Sequence, residues 1–330
     1  MQITGHGGQK MKRILFLLVA MCFMVPMEGC RLPPPASMSV QEEGRQMKDS
    51  QGVEVTIPDH PCRIVSIGVS TDDILIPLVG TDRIAAISYL PPNLEKEAAR
   101  IPGRISGTTE SVISFHPDLV VAADWNSKDY KDYIEEIRAV GIPVYVYRTQ
   151  KDVEGMIALI HTLGNVVNED EKADCFAADT KKRLDALTSF TAALPRRDTA
   201  VFYSINGLSG GKGSTFETLC RWAGLIDGAA DWGIVASAGG NREALVSINP
   251  DIIFIPSNAY TPTGHSSPSE TDFLDDPVLS AIPAVKNHRI YVVDAKWIMS
   301  YSQFMVNGME EMAKDAYEYE IPENGDEWET

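Results

Sequence analysis

One stretch of this chain is used twice. Residues 108–123 read TTESVISFHPDLVVAA and residues 241–256 read NREALVSINPDIIFIP. Each copy places a glutamate, Glu110 or Glu243, seven residues before a Pro-Asp pair, Pro117-Asp118 or Pro250-Asp251, and an apolar run follows. Two carboxylates at a fixed separation can set the register of a charged partner. The plainer reading is a solvent-facing glutamate in the first turn of a short helix, helped by the helix dipole. The copies lie 133 residues apart, a period suited to two similar domains and not to a solenoid. Two similar halves imply a cleft between them.

Catalytic signatures are missing from the linear sequence. It contains no Gly-x-Ser-x-Gly elbow, no dinucleotide fingerprint and no metalloprotease motif. The run Gly207-Leu-Ser-Gly-Gly-Lys-Gly-Ser-Thr215 fails as a phosphate loop. Lys212 is followed by Gly213 where Ser or Thr is required, and Asn206 stands where the leading glycine belongs. It reads as a cleft loop running into a helix near Thr215. His60, His116, His161 and His288 fall in different contexts, which argues against a three-histidine site for a bare metal ion. His265, in a Pro/Ser/Thr-rich loop, is open to two readings, an axial ligand to heme or cobalt or a solvated side chain. Cys62, Cys175 and Cys220 fit no CxxC pattern, and buried free thiols are favoured over one disulfide.

The elements that position these residues follow from hydrophobic period. Strand patterns occur at 53–57, 64–67, 84–87, 119–122 and 144–147, and again at 200–204, 252–255 and 290–293. Helical patterns lie at 72–79, 109–115 and 130–140, then at 215–223, 241–246 and 301–317. This alternation predicts an α/β fold, two Rossmann-like lobes with mostly parallel sheets. Between them, 152–194 carries no strand signal. Val153, Met156, Ile157, Ile160, Leu163 and Val167 mark one amphipathic helix, and a second from about 170 to 191 would be roughly 30 Å long. Such a helix can span both lobes and hold them at a nearly fixed separation.

Ligands of open α/β sheets bind at loops leaving the C-terminal ends of strands. In the first lobe that rule selects Ser70, Thr71, Tyr89, Trp125 and Asn126. In the second it selects Tyr203, Asn206, Trp232, Tyr260 and Trp297. Aromatic side chains suit bulky chelates or macrocycles, giving large apolar contact with a polar tip. Trp125 stands out because it follows a strong strand.

A length of 330 residues accommodates two domains with their own cores. A net charge of −17 excludes a basic nucleic-acid footprint, so no nucleic-acid partner is expected. At the N-terminus, Met11-Lys12-Arg13 and twelve apolar residues, 14–25, form an export signal. It ends at Met27-Glu28-Gly29-Cys30, a lipoprotein-type box in which Cys30 becomes the lipidated first residue; an ordinary secretory signal is the alternative. Glu28 departs from the small residue usual in such a box. Removing 1–29 takes away three cations and one anion, moving the charge from −17 to −19. The expected organisation is an export signal (1–29), a Pro-rich tether (30–50), a first lobe (51–168), a connecting helix (169–194), a second lobe (195–320) and an acidic tail (321–330).

The chain resembles the substrate-binding proteins of ABC importers that carry ferric siderophores, cobalamin or heme. The residues carrying the resemblance are Gly52, Pro58, Pro61-Cys-Arg-Ile-Val-Ser-Ile67, Leu78-Val-Gly-Thr-Asp-Arg83, Glu110 with Pro117-Asp-Leu-Val120, Gly141-Ile-Pro143, Leu163-Gly164, and Glu243 with Asn249-Pro-Asp-Ile-Ile253. The resemblance implies a binding protein and not an enzyme, with no resident cofactor and a metal chelate as ligand. It further implies that Glu110 and Glu243 dock on arginines of a membrane permease, and that the exported, lipid-anchored chain works as a monomer at the outer face of the cytoplasmic membrane or in the periplasm. An exported hydrolase or redox enzyme using the same cleft is the rival reading.

Overall fold

Alternating apolar runs and helices build two parallel sheets in this chain. The computed structural model describes residues 44–90, 92–236, 240–257 and 266–322, all within one compact unit, 41–330. The elements in chain order are β1 (Gly44–Lys48), β2 (Glu54–Pro58), β3 (Ile64–Ile67), α1 (Val69–Val79), β4 (Ile84–Ile87), α2 (Glu95–Ala98), β5 (Gly103–Arg104), α3 (Thr109–Ser114), β6 (Leu119–Ala123), α4 (Lys128–Ala139), β7 (Val144–Tyr147) and α5 (Val153–Val166). They continue with α6 (Asp170–Ala192), β8 (Thr199–Ser204), β9 (Gly207–Ser209), α7 (Thr215–Trp222), β10 (Ile226–Asp227), α8 (Gly228–Asp231), α9 (Arg242–Ile248), β11 (Ile252–Pro256), α10 (Glu270–Leu274), α11 (Pro283–Lys286), β12 (Ile290–Val293), α12 (Ala295–Ile298) and α13 (Phe304–Tyr317).

The first sheet has the order β5-β4-β3-β6-β7, with every pair parallel. The second runs β10-β8-β11-β12 in parallel, with β9 added antiparallel to β8. Helices cover both faces, so β3, β7 and most of β6 and β11 are buried throughout; that is why these strands read as unbroken apolar runs. One apolar cluster joins the inner faces of both sheets through α1, α5, α6, α7 and α13. Smaller clusters close the outer face of each sheet, around Ile134 and Ile137 in the first and Leu245 and Phe273 in the second.

Helix α6, 23 residues and so about 35 Å long, is pinned to both lobes. In the first lobe Arg83 bonds Glu169 at 2.5 Å and the Val167 carbonyl, while Lys172 bonds the Leu78 carbonyl. In the second lobe the buried Arg183 guanidinium pairs with Glu310 and Asn307 of α13. The α5–α6 turn closes through Asn168 in the left-handed region and the Glu169 N–H bonded to the Gly164 carbonyl.

The repeated stretch folds the same way in both lobes. A helix, α3 or α9, ends in a left-handed residue, His116 or Asn249. Proline follows, and then an aspartate that bonds the start of the neighbouring strand. Asp118 accepts from the Cys62 and Arg63 N–H groups and donates its own N–H to the Arg63 carbonyl. Asp251 does the same with Thr199.

Three expectations are corrected. The tether does not run to residue 50, because Gly44–Lys48 is a strand paired antiparallel with β2. Its sequence GRQMK has no apolar alternation; pairing holds it, aided by Arg45 bonded to the Asn165 and Val166 carbonyls. The last helix starts at Phe304 and not 301, because Ser300–Gln303 is used in a contact between the lobes described below. Cys62 and Cys175 are exposed free thiols, and only Cys220 is buried.

Candidate ligand cleft

The parallel sheets aim the C-terminal ends of their strands at one another. Chain leaving β3 passes Gly68 into Val69 and Ser70, the first residues of α1; chain leaving β12 enters α12 and then Met299–Gln303. These two segments touch. The Tyr301 N–H donates to Ser70 Oγ at 3.1 Å, Ser302 Oγ donates to Asp73 Oδ2 at 3.1 Å, and Gln303 Nε2 donates to the Asp73 carbonyl at 2.8 Å. Lys296 of α12 pairs with Glu95 of α2 at 2.8 Å beside them. A second tie lies after β7, where Lys151 Nζ bonds the Gly213 carbonyl and Thr218 Oγ1 donates to the Lys151 carbonyl. The first tie joins chain leaving two parallel strands at their carboxyl ends, and the second joins the chain after β7 to the glycine loop and α7; together they mark the floor where the lobes meet.

Around this floor the structure sorts the expected residues. Tyr89, Trp125 and Trp232 are 71%, 65% and 57% exposed, large apolar rings held in solvent. Tyr89 follows β4, Trp125 follows β6 and Trp232 caps α8. Asn126 and Asn206 are exposed; Asn126 Oδ1 accepts from Lys131 Nζ, and the Asn206 N–H bonds Ser204 Oγ. Ser70 is engaged by Tyr301. Thr71 is corrected: it is fully buried, with its hydroxyl on the Ile67 carbonyl and on Tyr147 Oη at 2.8 Å. Its position in the first turn of α1 turns the side chain inward, toward the strand it follows. Two aromatics also serve their own lobe. Trp297 packs on the shared core, and Tyr203 meets Phe273 edge-on with ring centroids 5.3 Å apart. Tyr260, His265 and Cys30 lie outside the described residues.

Glycine-loop chemistry is settled by carboxylates of the same lobe. The Gly211 N–H bonds Asp227 at 2.8 Å and the Gly213 N–H bonds Glu217 at 2.7 Å. With those donors engaged by anions of the protein, the loop offers no cradle for a phosphate. Sequence reasoning missed Met299, which is 55% exposed and two residues from the Ser70 contact. Placing Tyr301 at a helix start hid this floor segment.

Glu110 and Glu243 are both exposed and stand in the first turns of α3 and α9, capped by Thr108 and Asn241. A cavity of about 720 Å³ opens elsewhere, between the C-terminal end of α1 and the first half of α6, lined by Leu78, Gly80, Asp82, Arg100, Glu171 and Cys175. It lies at the far end of α1 from Ser70 and contains none of the cleft residues. Among the described residues no group of His, Cys, Asp and Glu is placed to hold a metal ion.

A family model described as periplasmic binding protein matches residues 64–297. An uncharacterized ABC transporter substrate-binding lipoprotein, YvrC of Bacillus subtilis strain 168, is 24% identical over 308 residues, covering 89% of this chain and 93% of the relative. A cobalamin-binding protein of Halobacterium salinarum is 22% identical over 261 residues, 75% of this chain and 69% of the relative. The apo structure of the periplasmic heme-binding protein RhuT from Roseiflexus sp. RS-1 superposes with a TM-score of 0.67 at 18% identity, over 78% of this chain and 98% of that one.

Proposed function

The chain belongs to the periplasmic binding protein family, and from that premise we propose that it is the exported substrate-binding component of an ABC importer for a metal chelate. The ligand is a ferric siderophore, cobalamin or heme, taken up between the lobes and delivered to a membrane permease. One observation supports the reading most: chain leaving β3 and chain leaving β12 meet between the lobes, and Tyr89, Trp125 and Trp232 are large rings left exposed. Exposed aromatic faces suit a large, flat or apolar-rimmed chelate better than a small ion. The cobalamin- and heme-binding relatives support the same class. The family is one of binding proteins, so the rival enzyme reading finds no support in it.

Export runs through the N-terminal signal, and Cys30 carries the lipid anchor, in keeping with the lipoprotein relative. Delivery runs through Glu110 and Glu243, whose carboxylates stand free at equivalent points of the two lobes and pair with cations of the permease. The loaded protein acts as a monomer.

The test is a titration of the exported chain with hemin, cyanocobalamin and a panel of ferric siderophores, followed by tryptophan fluorescence. Quenching that saturates at one equivalent of one chelate supports the reading. No response to any of them overturns it.

A further inference from the structure

The floor of the cleft carries two successive carboxylates, Asp72 and Asp73, both fully buried. Among the described residues no cation bonds either of them. Asp73 receives the Asn93 N–H at 2.8 Å, Asn93 Nδ2 at 2.6 Å and Ser302 Oγ at 3.1 Å; Asp72 receives the Ser88 N–H at 3.2 Å. Hydroxyls of Ser66 and Ser88 also lie beside Asp72, whereas Asn93 Oδ1 and Gln303 Oε1, on the two residues that donate to Asp73, are buried with no donor. Burial without a counter-charge penalises the ionised form, and spare acceptors reward an added proton.

The neighbouring charges are few. The strands packed on α1, namely β3, β4 and β6, contain no titratable residue. On α5 the titratable Glu154 and His161 are exposed. Tyr147 faces the pair from β7, Tyr301 lies on the second-lobe segment, and Lys296, itself paired with Glu95, is a cation whose charge acts on Asp73.

Part of the cover over Asp73 comes from the other lobe, through Ser302 and Gln303. Separating the lobes therefore returns water to this carboxylate. We propose that Asp73 takes up a proton as the two lobes close on each other, so that acidification tightens the interlobe floor and neutral pH loosens it. Burial pushes Asp73 up to about 6 from an ordinary 3.8, ahead of the opposing hydrogen bonds from Asn93 and Ser302. A raised carboxyl value costs the closed state above pH 6, and that cost disappears as pH falls toward the open-state value.

The Tyr301 amide, bonded across the floor to Ser70, reports opening directly. Its hydrogen exchange, corrected for intrinsic chemistry, is measured in the full exported chain from pH 5 to 7.5. Protection is expected to be at least about tenfold greater at pH 5, a tenfold change corresponding to one unit of pKa difference between states. Asp73→Asn is expected to remove the dependence. Lys296→Met keeps the carboxyl, loses a cation that favours its ionised form and is expected to move the midpoint to higher pH. Protection that is flat or falls toward acid, a dependence retained in Asp73→Asn, or an unmoved midpoint in Lys296→Met overturns the proposal. No ligand is required, so the outcome is independent of the transport reading.

Discussion

Gly164 of α5 and Ala173 of α6 face each other so closely that a β-carbon on Gly164 would lie 2.2 Å from that of Ala173. The two helices can cross at this separation only because residue 164 has no side chain. Their contact in turn fixes how α6 leaves the first lobe. Gly164→Ala gains helix propensity of about 1 kcal/mol but must push the helices apart, a cost of about 1–3 kcal/mol or more. A net loss of stability is expected in thermal or urea unfolding, and pairing it with Ala173→Gly is expected to restore much of it.

Asp118 and Asp251 hold the first strand of each sheet by bonding the backbone of Arg63 and Thr199. Bonds to an ionised acceptor contribute about 1.5–3 kcal/mol each. Asp118 accepts from two backbone N–H groups where Asp251 accepts from one, with the exposed Arg196 at 3.5 Å beside it, so Asp118→Ala is expected to cost more than Asp251→Ala. Denaturant midpoints of the two variants check the order.

Charge reversal at Glu110 and Glu243 separates delivery from capture. The double variant Glu110→Arg/Glu243→Arg is expected to abolish uptake by cells while leaving chelate affinity within about twofold, since neither residue lies on the cleft floor. An equal fall in affinity would sink the docking assignment.

Trp125 and Trp232 are expected to carry chelate affinity. Replacing either with alanine is expected to weaken binding by about 1–2 kcal/mol, or roughly five- to thirtyfold. Thr71→Val is the contrast. It removes the hydroxyl bonded to Tyr147 and is expected to cost about 1 kcal/mol of stability with affinity unchanged. Calorimetric titration of the three variants with the identified chelate checks this.

Much of the fold was legible in the sequence. β3, β4, β7 and β12 appear at the residues their apolar runs mark; β3 and β7 are covered on both faces and need no polar alternation, whereas β12 is an edge strand with Val292 exposed. β5 and β10, of two residues each, and the single turn of α8 are too short to show a pattern, and β1 is held by its partner and not by pattern. The site was legible only where a local rule applied. Tyr89 and Trp125 follow strands and are exposed as the rule expects, whereas Thr71 obeys the same rule and turns inward. The floor was invisible for a different reason. Asp73 and Ser302 stand 229 positions apart, and no periodicity in either segment announces that their polar groups will meet.

The helix, left-handed residue, proline, aspartate and strand that recur in the two lobes have a metrological consequence. Each unit refers one glutamate to its own sheet through a short, doubly bonded path, with little room for local wobble. Glu110 and Glu243 are then matched fiducial marks, built alike so that their local errors are alike. Any rotation of one lobe against the other appears as a change in the vector between the marks. A surface that engages both reads that one angle, and the chemistry of whatever lies in the cleft enters only through it.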